Sequence, residues 1–422
     1  MTNVADAAPV SGQVQPPTRT TLRGLLAQTE IDLRLFGMLA ALAGILLTFN
    51  ILSGGKLIQP TNMITMAVQA AGIAIIATGM VLVIVSRNID LSVGSLVGLI
   101  AMSYALLMTD WFPRIFGLGP DVPFQWALAL AIGIAMGAAI GALQGFIIAY
   151  IGVPSFIVTL GGLLSIRGLV WYQSQGAAVV GLDPTFQLIG GGAQGSVGGT
   201  ITWLLGILGC VAIVVLLFNG RRQRRRYGFP VRPMWAEVLL GGVGCAASLG
   251  LAWFANNNFL ARSQTPAGFP YPIILLIGVT LVMTFIANRR RFGRYVYAYG
   301  GNPDAAELAG INTRWTILKT YVLMGILCAL AGAVAAGRLN GATLDIGQSY
   351  ELYVIAAAVV GGTSFAGGIG TIPGAVLGAF VMQALAYGLS FLNVISPGQN
   401  IAVGVVLIVA VGLDTYNRRR GS

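Results

Sequence analysis

The chain has 422 residues, of which 56% are hydrophobic and 9% are charged, and its formal net charge is +11. Soluble domains carry about 25% charged residues, so this composition excludes an ordinary water-soluble protein and indicates a polytopic membrane protein. The chain has no His, and Cys210, Cys245 and Cys328 all lie in apolar runs. A His-based triad and a His-containing zinc site are therefore excluded, a disulfide framework is disfavoured, and we expect no metal.

Apolar runs recur along the whole chain, and about 20 apolar residues are enough to cross a membrane as a helix. The predicted segments are Leu35–Leu52, Met63–Val85, Ser92–Met108, Trp126–Tyr150, Pro154–Gln173, Ile201–Phe218, Trp235–Ala255, Pro272–Ala287, Thr316–Ala336, Tyr350–Gly361, Ile372–Leu392 and Ile401–Leu413. Several of these are short, and a short segment can be re-entrant rather than spanning. The sequence therefore predicts an all-α integral membrane protein with 10–12 transmembrane segments.

The basic residues indicate the orientation of these segments. With the N-terminus in the cytoplasm, 19 of the 24 Lys and Arg fall on the cytoplasmic side, as the positive-inside rule requires. Only Lys56, Arg114, Arg262 and Arg338 fall outside, and Arg167 lies within a segment. We therefore expect both termini in the cytoplasm, and no nucleic-acid partner, because no aromatic-basic platform accompanies these arginines.

The same map divides the chain into regions. We expect a cytoplasmic N-terminal tail over residues 1–34, a transmembrane domain over 35–414 and a cytoplasmic C-terminal tail over 415–422. Within the transmembrane domain, the basic loop 219–234 and the loop 288–315 are predicted to be cytoplasmic.

The loop 288–315 contains the residues of a short isolated helix. Asn302 can cap a helix, Pro303 suits its first turn, and Asp304 favours the positive end of the helix dipole. Gly310 can end the helix in the left-handed conformation. The resulting helix, Pro303–Ala309, has about two turns and is too short to be stable alone in water. It is either a surface turn packed on the chain's own helix ends or a docking helix for a cytoplasmic partner.

A polar break interrupts the apolar pattern at Ile89–Ser95, which includes Asp90 and Ser92. An ionisable group within a membrane bundle is costly, so such groups tend to be paired or to line a wet path. The alternative is a cytoplasmic turn marked by Arg87, with Asp90 capping the following helix.

A second polar pattern begins the segment after Pro154. Ser155 and Thr159 lie one turn apart on one helix face, and Arg167 follows two turns further along. An Arg within a span needs a partner, unless it lies near a helix end and reaches water.

A Gly-rich stretch, Gly361–Thr371, separates two further apolar segments and contains Thr363 and Ser364. Segments 89–98 and 369–378 both place two glycines four residues apart after a polar break. Gly-interrupted spans in corresponding positions are typical of the transport site in repeat-built transporters.

The chain lacks the signature of a nucleotide-hydrolysing enzyme. A phosphate-binding loop needs Gly-x-x-x-x-Gly-Lys followed by Ser or Thr, and neither Lys56 nor Lys319 fits. No dinucleotide-binding fingerprint is present either. We therefore expect no cofactor and no covalent chemistry in this chain.

Four ordered motifs between residues 79 and 374 resemble the permease subunits of ribose- and xylose-type ABC importers. They are Gly79–Ile84 with Ile89–Ser95, Val153–Gly161, Tyr299–Asn302 with Ala306 and Gly310–Asn312, and Gly361–Ser364 with Gly367 and Gly368. The Arg221–Arg232 loop with its flanking spans is similar to the extra segment of the xylose branch.

The resemblance implies a multi-pass permease subunit of an ATP-driven importer in the bacterial inner membrane. It would translocate a monosaccharide, xylose or a related pentose or hexose. Two copies would form the path, with a periplasmic sugar-binding protein outside and an ATPase with two nucleotide-binding halves inside. The helix Pro303–Ala309 would be the coupling helix.

The resemblance also implies roles for the residues above. The ATPase contact would be shaped by Asn302, Pro303, Asp304, Glu307 and Gly310. The translocation path would be lined or shaped by Asp90, Ser92, Ser155, Thr159, Thr363 and Ser364.

Two alternatives remain open. One is an ABC permease for branched-chain amino acids, which shares the broad family. The other is a proton-coupled secondary transporter, which needs a buried titrating carboxylate; the candidates are Asp90, Glu237 and Glu351.

Overall fold

The computed structural model describes residues 33–117, 122–191, 195–258 and 265–421. The predicted N-terminal tail lies outside the described residues up to position 32, and helix α1 begins at Leu33. The helices and strands are α1 Leu33–Leu52, α2 Pro60–Val85, α3 Val93–Leu106, α4 Phe112–Phe116, α5 Gln125–Phe146, α6 Ser155–Ser174, β1 Val179–Val180, α7 Pro184–Ile189, α8 Gly198–Arg226, α9 Met234–Asn256, α10 Tyr271–Arg289, α11 Arg291–Gly301, α12 Pro303–Leu308, α13 Thr313–Leu339, β2 Gly341–Ala342, α14 Tyr350–Val360, α15 Ile372–Phe391 and α16 Ser396–Gly421. Single π-helical turns, Leu107–Trp111 and Ile147–Ile151, extend α3 and α5.

The described helices confirm the predicted fold class. Ten of them are long and apolar enough to cross a membrane. Two more, Tyr350–Val360 and Ser396–Val409, are apolar but shorter. The predicted range of 10–12 segments is therefore confirmed. The last helix continues to Gly421, through most of the stretch assigned to a C-terminal tail.

Helix α2 forms the centre of the bundle. In its most apolar window 94% of the residues are buried, and α10, α13, α14 and α15 pack around it. A helix that is apolar on all sides is stable only when other helices surround it, as they do here.

Glycines allow α13 and α5 to approach closely. A Cβ added at Gly325 would overlap the backbone carbonyl of Gly137, and one added at Gly141 would overlap the carbonyl of Tyr321. Small residues at helix interfaces allow this contact in membranes, where dispersion and close packing replace the hydrophobic effect between helices.

Helices α8 and α9 form a hairpin that packs on itself more than on the rest of the chain. The basic loop is shorter than the predicted 219–234, because α8 continues to Arg226 and only residues 227–233 connect the helices. Cations are favoured at a helix C-terminus by the helix dipole. An ion pair of 2.5 Å between Arg221 and Glu237 closes this end of the hairpin.

The chain after α13 does not cross as one long helix. Strand β2 pairs with β1 in antiparallel register, Ala342 opposite Val179, and residues 343–349 then lead to α14. With 11 residues, α14 is about half the length that a bilayer requires. We call it the half-helix.

Candidate functional site

The predicted short helix is present as α12, Pro303–Leu308, one residue shorter than expected. The Asn302 side chain accepts a hydrogen bond of 3.0 Å from the Ala305 amide. Pro303 occupies the first turn, and Gly310 is left-handed with φ +78°. The local capping prediction is therefore confirmed at both ends of the helix.

Most of α12 faces away from the chain. Ala306 is buried, whereas Asp304 and Glu307 are exposed and Leu308 is 90% exposed. The helix thus anchors itself through one small side chain and presents two carboxylates and a leucine. The exposure of Leu308 could not be predicted from the sequence, because an apolar residue in a short helix is expected to pack inward.

A hydrogen-bonded joint lies beside α12, and we call it the α2–α11 joint. Arg87, in the left-handed conformation with φ +59°, donates from Nε to the Gly300 carbonyl at 2.8 Å and from Nη2 to the Gly301 carbonyl at 2.9 Å. A Cβ at Gly300 would overlap the Val85 carbonyl, so only glycine allows α11 to lie this close to the end of α2.

The Gly-rich stretch 361–371 joins the same contact. The Gly368 amide donates to the Val85 carbonyl at 3.0 Å, and the Tyr297 hydroxyl donates to the Gly370 carbonyl at 2.7 Å. Three parts of the chain, the end of α2, helix α11 and the stretch after the half-helix, are thereby held together. The sequence indicates only a turn at Arg87 and not these hydrogen bonds, because their acceptors are backbone groups more than 200 residues away.

Asp90 is buried in the segment between α2 and α3, with 2% of its surface exposed. Its Oδ1 accepts hydrogen bonds from the Ser92 amide at 2.9 Å and the Ser92 hydroxyl at 2.7 Å. The Gln144 side chain donates to the Ser92 hydroxyl at 2.9 Å. Burial raises the pKa of Asp90 to about 6, because desolvation outweighs the hydrogen bonds from Ser92.

Ser155 and Thr159 meet the same segment through the backbone of Ile89. The Ile89 amide donates to the Ser155 hydroxyl at 3.3 Å, and the Thr159 hydroxyl donates to the Ile89 carbonyl at 3.3 Å. The structure therefore brings four predicted residues, Asp90, Ser92, Ser155 and Thr159, into one polar cluster. Gln144 also belongs to it and was missed, although a glutamine in an apolar span is itself a signal.

Thr363 and Ser364 lie apart from this cluster. Both are buried, the Ser364 hydroxyl accepts from the Ala366 amide at 3.3 Å, and the Thr363 methyl lies beside Gly370. Within the part of the chain that the structure describes, no hydrogen bond links them to the Asp90 cluster. The Thr363 hydroxyl is buried without a partner there.

Arg167 is paired rather than directed to water. Its Nη1 donates to the backbone carbonyls of Leu344 at 2.9 Å and Ile346 at 3.1 Å, in the segment before the half-helix. A guanidinium on two carbonyls fixes this irregular backbone against α6.

The two glycine pairs of segments 89–98 and 369–378 have comparable roles. Gly94 and Gly98 admit the backbone of residues 346–347, and Gly374 and Gly378 admit the backbone at the end of the half-helix. The first pair therefore lets the loop before the half-helix lie against α3, and the second lets the end of the half-helix lie against α15.

Among the described residues, no three His, Cys, Asp or Glu side chains are grouped to hold a metal ion. The site therefore consists of helix contacts, two arginine side chains that bind backbone carbonyls, and a buried polar cluster around Asp90. Such groups can bind a hydroxylated ligand through hydrogen bonds or transmit a movement between helices.

Comparisons with known proteins show the family to which the chain belongs. Residues 62–411 match the family model "Branched-chain amino acid transport system / permease component". The xylose transport system permease protein XylH of Escherichia coli K12 is 35% identical over 400 residues, which cover 95% of this chain and 96% of the relative. The galactose/methyl galactoside import permease protein MglC of the same strain is 31% identical, covering 89% of this chain and 93% of the relative.

A more distant relative is the fructose import permease protein FrcC of Rhizobium meliloti, 26% identical over 89% of this chain and 83% of its own length. No solved structure matches the chain significantly. Because the family model covers residues 62–411 and XylH aligns over nearly the full length, the chain belongs to this family of transport-system permease components and is a multi-pass inner-membrane protein.

Proposed function

We propose that the chain is the membrane subunit of an ATP-driven importer that translocates a monosaccharide, xylose or a related sugar. The observation that carries the proposal is the full-length similarity to a xylose permease, supported by similarity to galactose and fructose permeases. The chain itself contains no phosphate-binding loop, so ATP hydrolysis takes place in a separate ATPase chain.

Helix α12 is the proposed contact with that ATPase. It is two turns long, held to its own chain by Ala306, and its exposed side carries Leu308 beside Asp304 and Glu307. Burial of the exposed leucine in a partner's cleft is favourable, and the two carboxylates can pair with basic groups at the rim of that cleft. Asn302 and Gly310 fix the two ends of the helix and so its direction.

Two copies of the subunit complete the proposed assembly. An ATPase with two nucleotide-binding halves offers two clefts, and each subunit supplies one α12. A sugar-binding protein docks at the opposite face. This places α12, the basic connection 227–233 and both termini on the cytoplasmic side, in agreement with the positive-inside rule.

The α2–α11 joint supports a mechanical connection between the proposed ATPase contact at α12 and the translocation path. Arg87 links α11, which precedes α12, to the end of α2, and Val85 in turn holds Gly368, which follows the half-helix. A displacement of α12 therefore moves the end of α2 and the half-helix together. Such a rigid connection is what a two-state transporter needs in order to respond to its partner.

Replacement of residues 303–309 by a Gly-Ser linker tests the docking surface. We expect the subunit to remain in the membrane and to lose co-purification with its ATPase. Leu308→Ser should weaken the same association, whereas Ile115→Ser, which changes a 65% exposed side chain at the far end of the α3 span, should not. Undiminished co-purification of the linker variant would overturn the assignment of α12.

A branched-chain amino acid is the second candidate substrate, because the matching family model carries that description. The full-length relatives above are sugar permeases, which favours a sugar. Competition distinguishes the two: excess unlabelled leucine should leave xylose uptake unchanged, and inhibition by leucine would favour the amino acid.

A further inference from the structure

A polar cavity of about 340 Å³ lies on the side of α2 that faces α15 and α16. Its walls come from α2, the end of α13, residues 345–349, the first turn of the half-helix, α15 and the start of α16. The volume falls at the lower end of the range of about 300–1,000 Å³ for small-molecule sites. None of the path residues predicted from the sequence lines it.

The lining is unusually polar for a membrane bundle. Eleven of the thirteen lining residues carry a polar side chain, among them Arg338, Asp345 and Gln348. A cavity of about 570 Å³ between α1, α2, α9, α10 and α15 is lined by apolar residues alone, including Leu42, Phe254 and Phe380. The second cavity suits lipid chains, whereas the first suits a ligand with many hydroxyl groups.

Two glutamines from distant parts of the chain form the inner wall. Gln69 and Gln383 lie inside the spans Pro60–Val85 and Ile372–Phe391, where polar side chains are costly. Gln383 Nε2 donates to Gln69 Oε1 at 2.9 Å. In the described structure this leaves the Gln69 amino group and the Gln383 carbonyl unpaired and available to a ligand, since a glutamine side chain offers two donors and an acceptor.

The outer wall supplies complementary groups. The Arg338 guanidinium and the Asp345 carboxylate are exposed at the mouth of the cavity, and no salt bridge joins them within the described residues. Tyr350 and Tyr353 add ring faces and hydroxyls from the half-helix. Amide, carboxylate and guanidinium groups around a flat aromatic surface are the chemistry that binds a sugar ring.

We propose that this cavity is where the permease subunit itself binds the monosaccharide during translocation. The inference rests on the proposed function and assigns the sugar contact to Gln69, Gln383, Arg338, Asp345, Gln348 and Tyr353. The half-helix connects this site to the cytoplasmic side, because its first turn lines the cavity and the stretch after its last turn holds the α2–α11 joint. Movement of the joint therefore reshapes the sugar site.

The test uses the full complex with its ATPase and binding protein in proteoliposomes, with labelled xylose. Gln383→Leu removes the amide at nearly constant volume. Asp345→Ala removes an exposed carboxylate that makes no hydrogen bond or ion pair with the described residues. Thr280→Val is the control, because the Thr280 hydroxyl is buried in the α10 span without a partner in the described structure. We expect both cavity variants to lower uptake about tenfold, the effect of one lost hydrogen bond to a bound ligand, with ATP hydrolysis and the control unchanged.

Wild-type uptake by both cavity variants would overturn the inference and leave the proposed function intact. A parallel loss of uptake and of ATP hydrolysis stimulated by the binding protein would also overturn it, because the residues would then serve docking or assembly. No ATP-dependent sugar uptake by the unmodified complex would overturn the proposed function, and the sugar assignment of the cavity with it.

Discussion

Replacement of Asp90 by Asn should stabilise the permease at neutral and alkaline pH. Asp90 is 98% buried, and burial raises its pKa from 3.8 to about 6. A pKa that is higher by about two corresponds to a penalty of about 3 kcal/mol on the ionised form of Asp90. This penalty is the upper bound for the gain in folding stability on substitution. The Asn oxygen can still accept the two hydrogen bonds from Ser92, so the substitution removes the charge and keeps the shape.

The pH dependence gives this prediction its sign. The folded state binds the Asp90 proton more tightly than the unfolded state, so wild-type stability is reduced above pH 6 and recovers as the pH falls from about 6 towards 3.8. The gain from Asp90→Asn should therefore be largest at pH 8 and shrink at pH 5. Thermal unfolding of the purified subunit in detergent at both values measures it.

Asp345→Asn is the matched control for this experiment, because it makes the same chemical change on an exposed residue in the loop before the half-helix. We expect its midpoint to follow the wild type at both pH values. A lower midpoint for Asp90→Asn at pH 8, or an equal difference at pH 5 and pH 8, would refute the reasoning.

Three further predictions follow from contacts away from Asp90. Gly300→Ala should disrupt the α2–α11 joint and abolish uptake, because its Cβ would overlap the backbone carbonyl at the end of α2. Gly301→Ala has open space around its Cβ and should transport normally. Equal uptake by the two variants would contradict the role proposed for the joint. Glu237→Gln should leave Arg221 without its ion-pair partner and weaken the α8–α9 hairpin by about 1 kcal/mol. Faster hydrogen exchange at residues 227–233 would measure this loss, and unchanged exchange there would show that the ion pair contributes nothing to stability. Gly310→Ala should destabilise the end of α12 by about 1 kcal/mol, because the backbone is left-handed there. It should weaken ATPase binding more than Gly310→Asn does, and equal binding by the two variants would contradict this role of the left-handed end.

The features that could be predicted from the sequence depend on local chemistry. The apolar runs give the spanning helices, because a membrane span requires a long uninterrupted apolar helix. The ends of α12 follow from Asn302, Pro303 and Gly310, each of which acts within four residues of its position in the chain. The pairing of Ser155 and Thr159 follows from helical spacing alone.

The features that could not be predicted depend on contacts between distant residues. Gln69 and Gln383 are 314 residues apart, and nothing in either span indicates that they meet. Arg87 binds backbone carbonyls, and because every residue has one, the sequence does not indicate which carbonyls it binds. The resemblance groups Thr363 with Asp90, but the Thr363 side chain lies beside Gly370, and the described structure shows no hydrogen bond between it and the Asp90 cluster.

Uptake of labelled xylose by proteoliposomes that contain the permease, its ATPase and its binding protein tests the central claim most directly. We predict accumulation that requires ATP hydrolysis, persists when a protonophore collapses the proton gradient, and stops when α12 is replaced by a Gly-Ser linker. Uptake that follows the proton gradient and continues without ATP would contradict the account, and Asp90 would then be the carboxylate to examine.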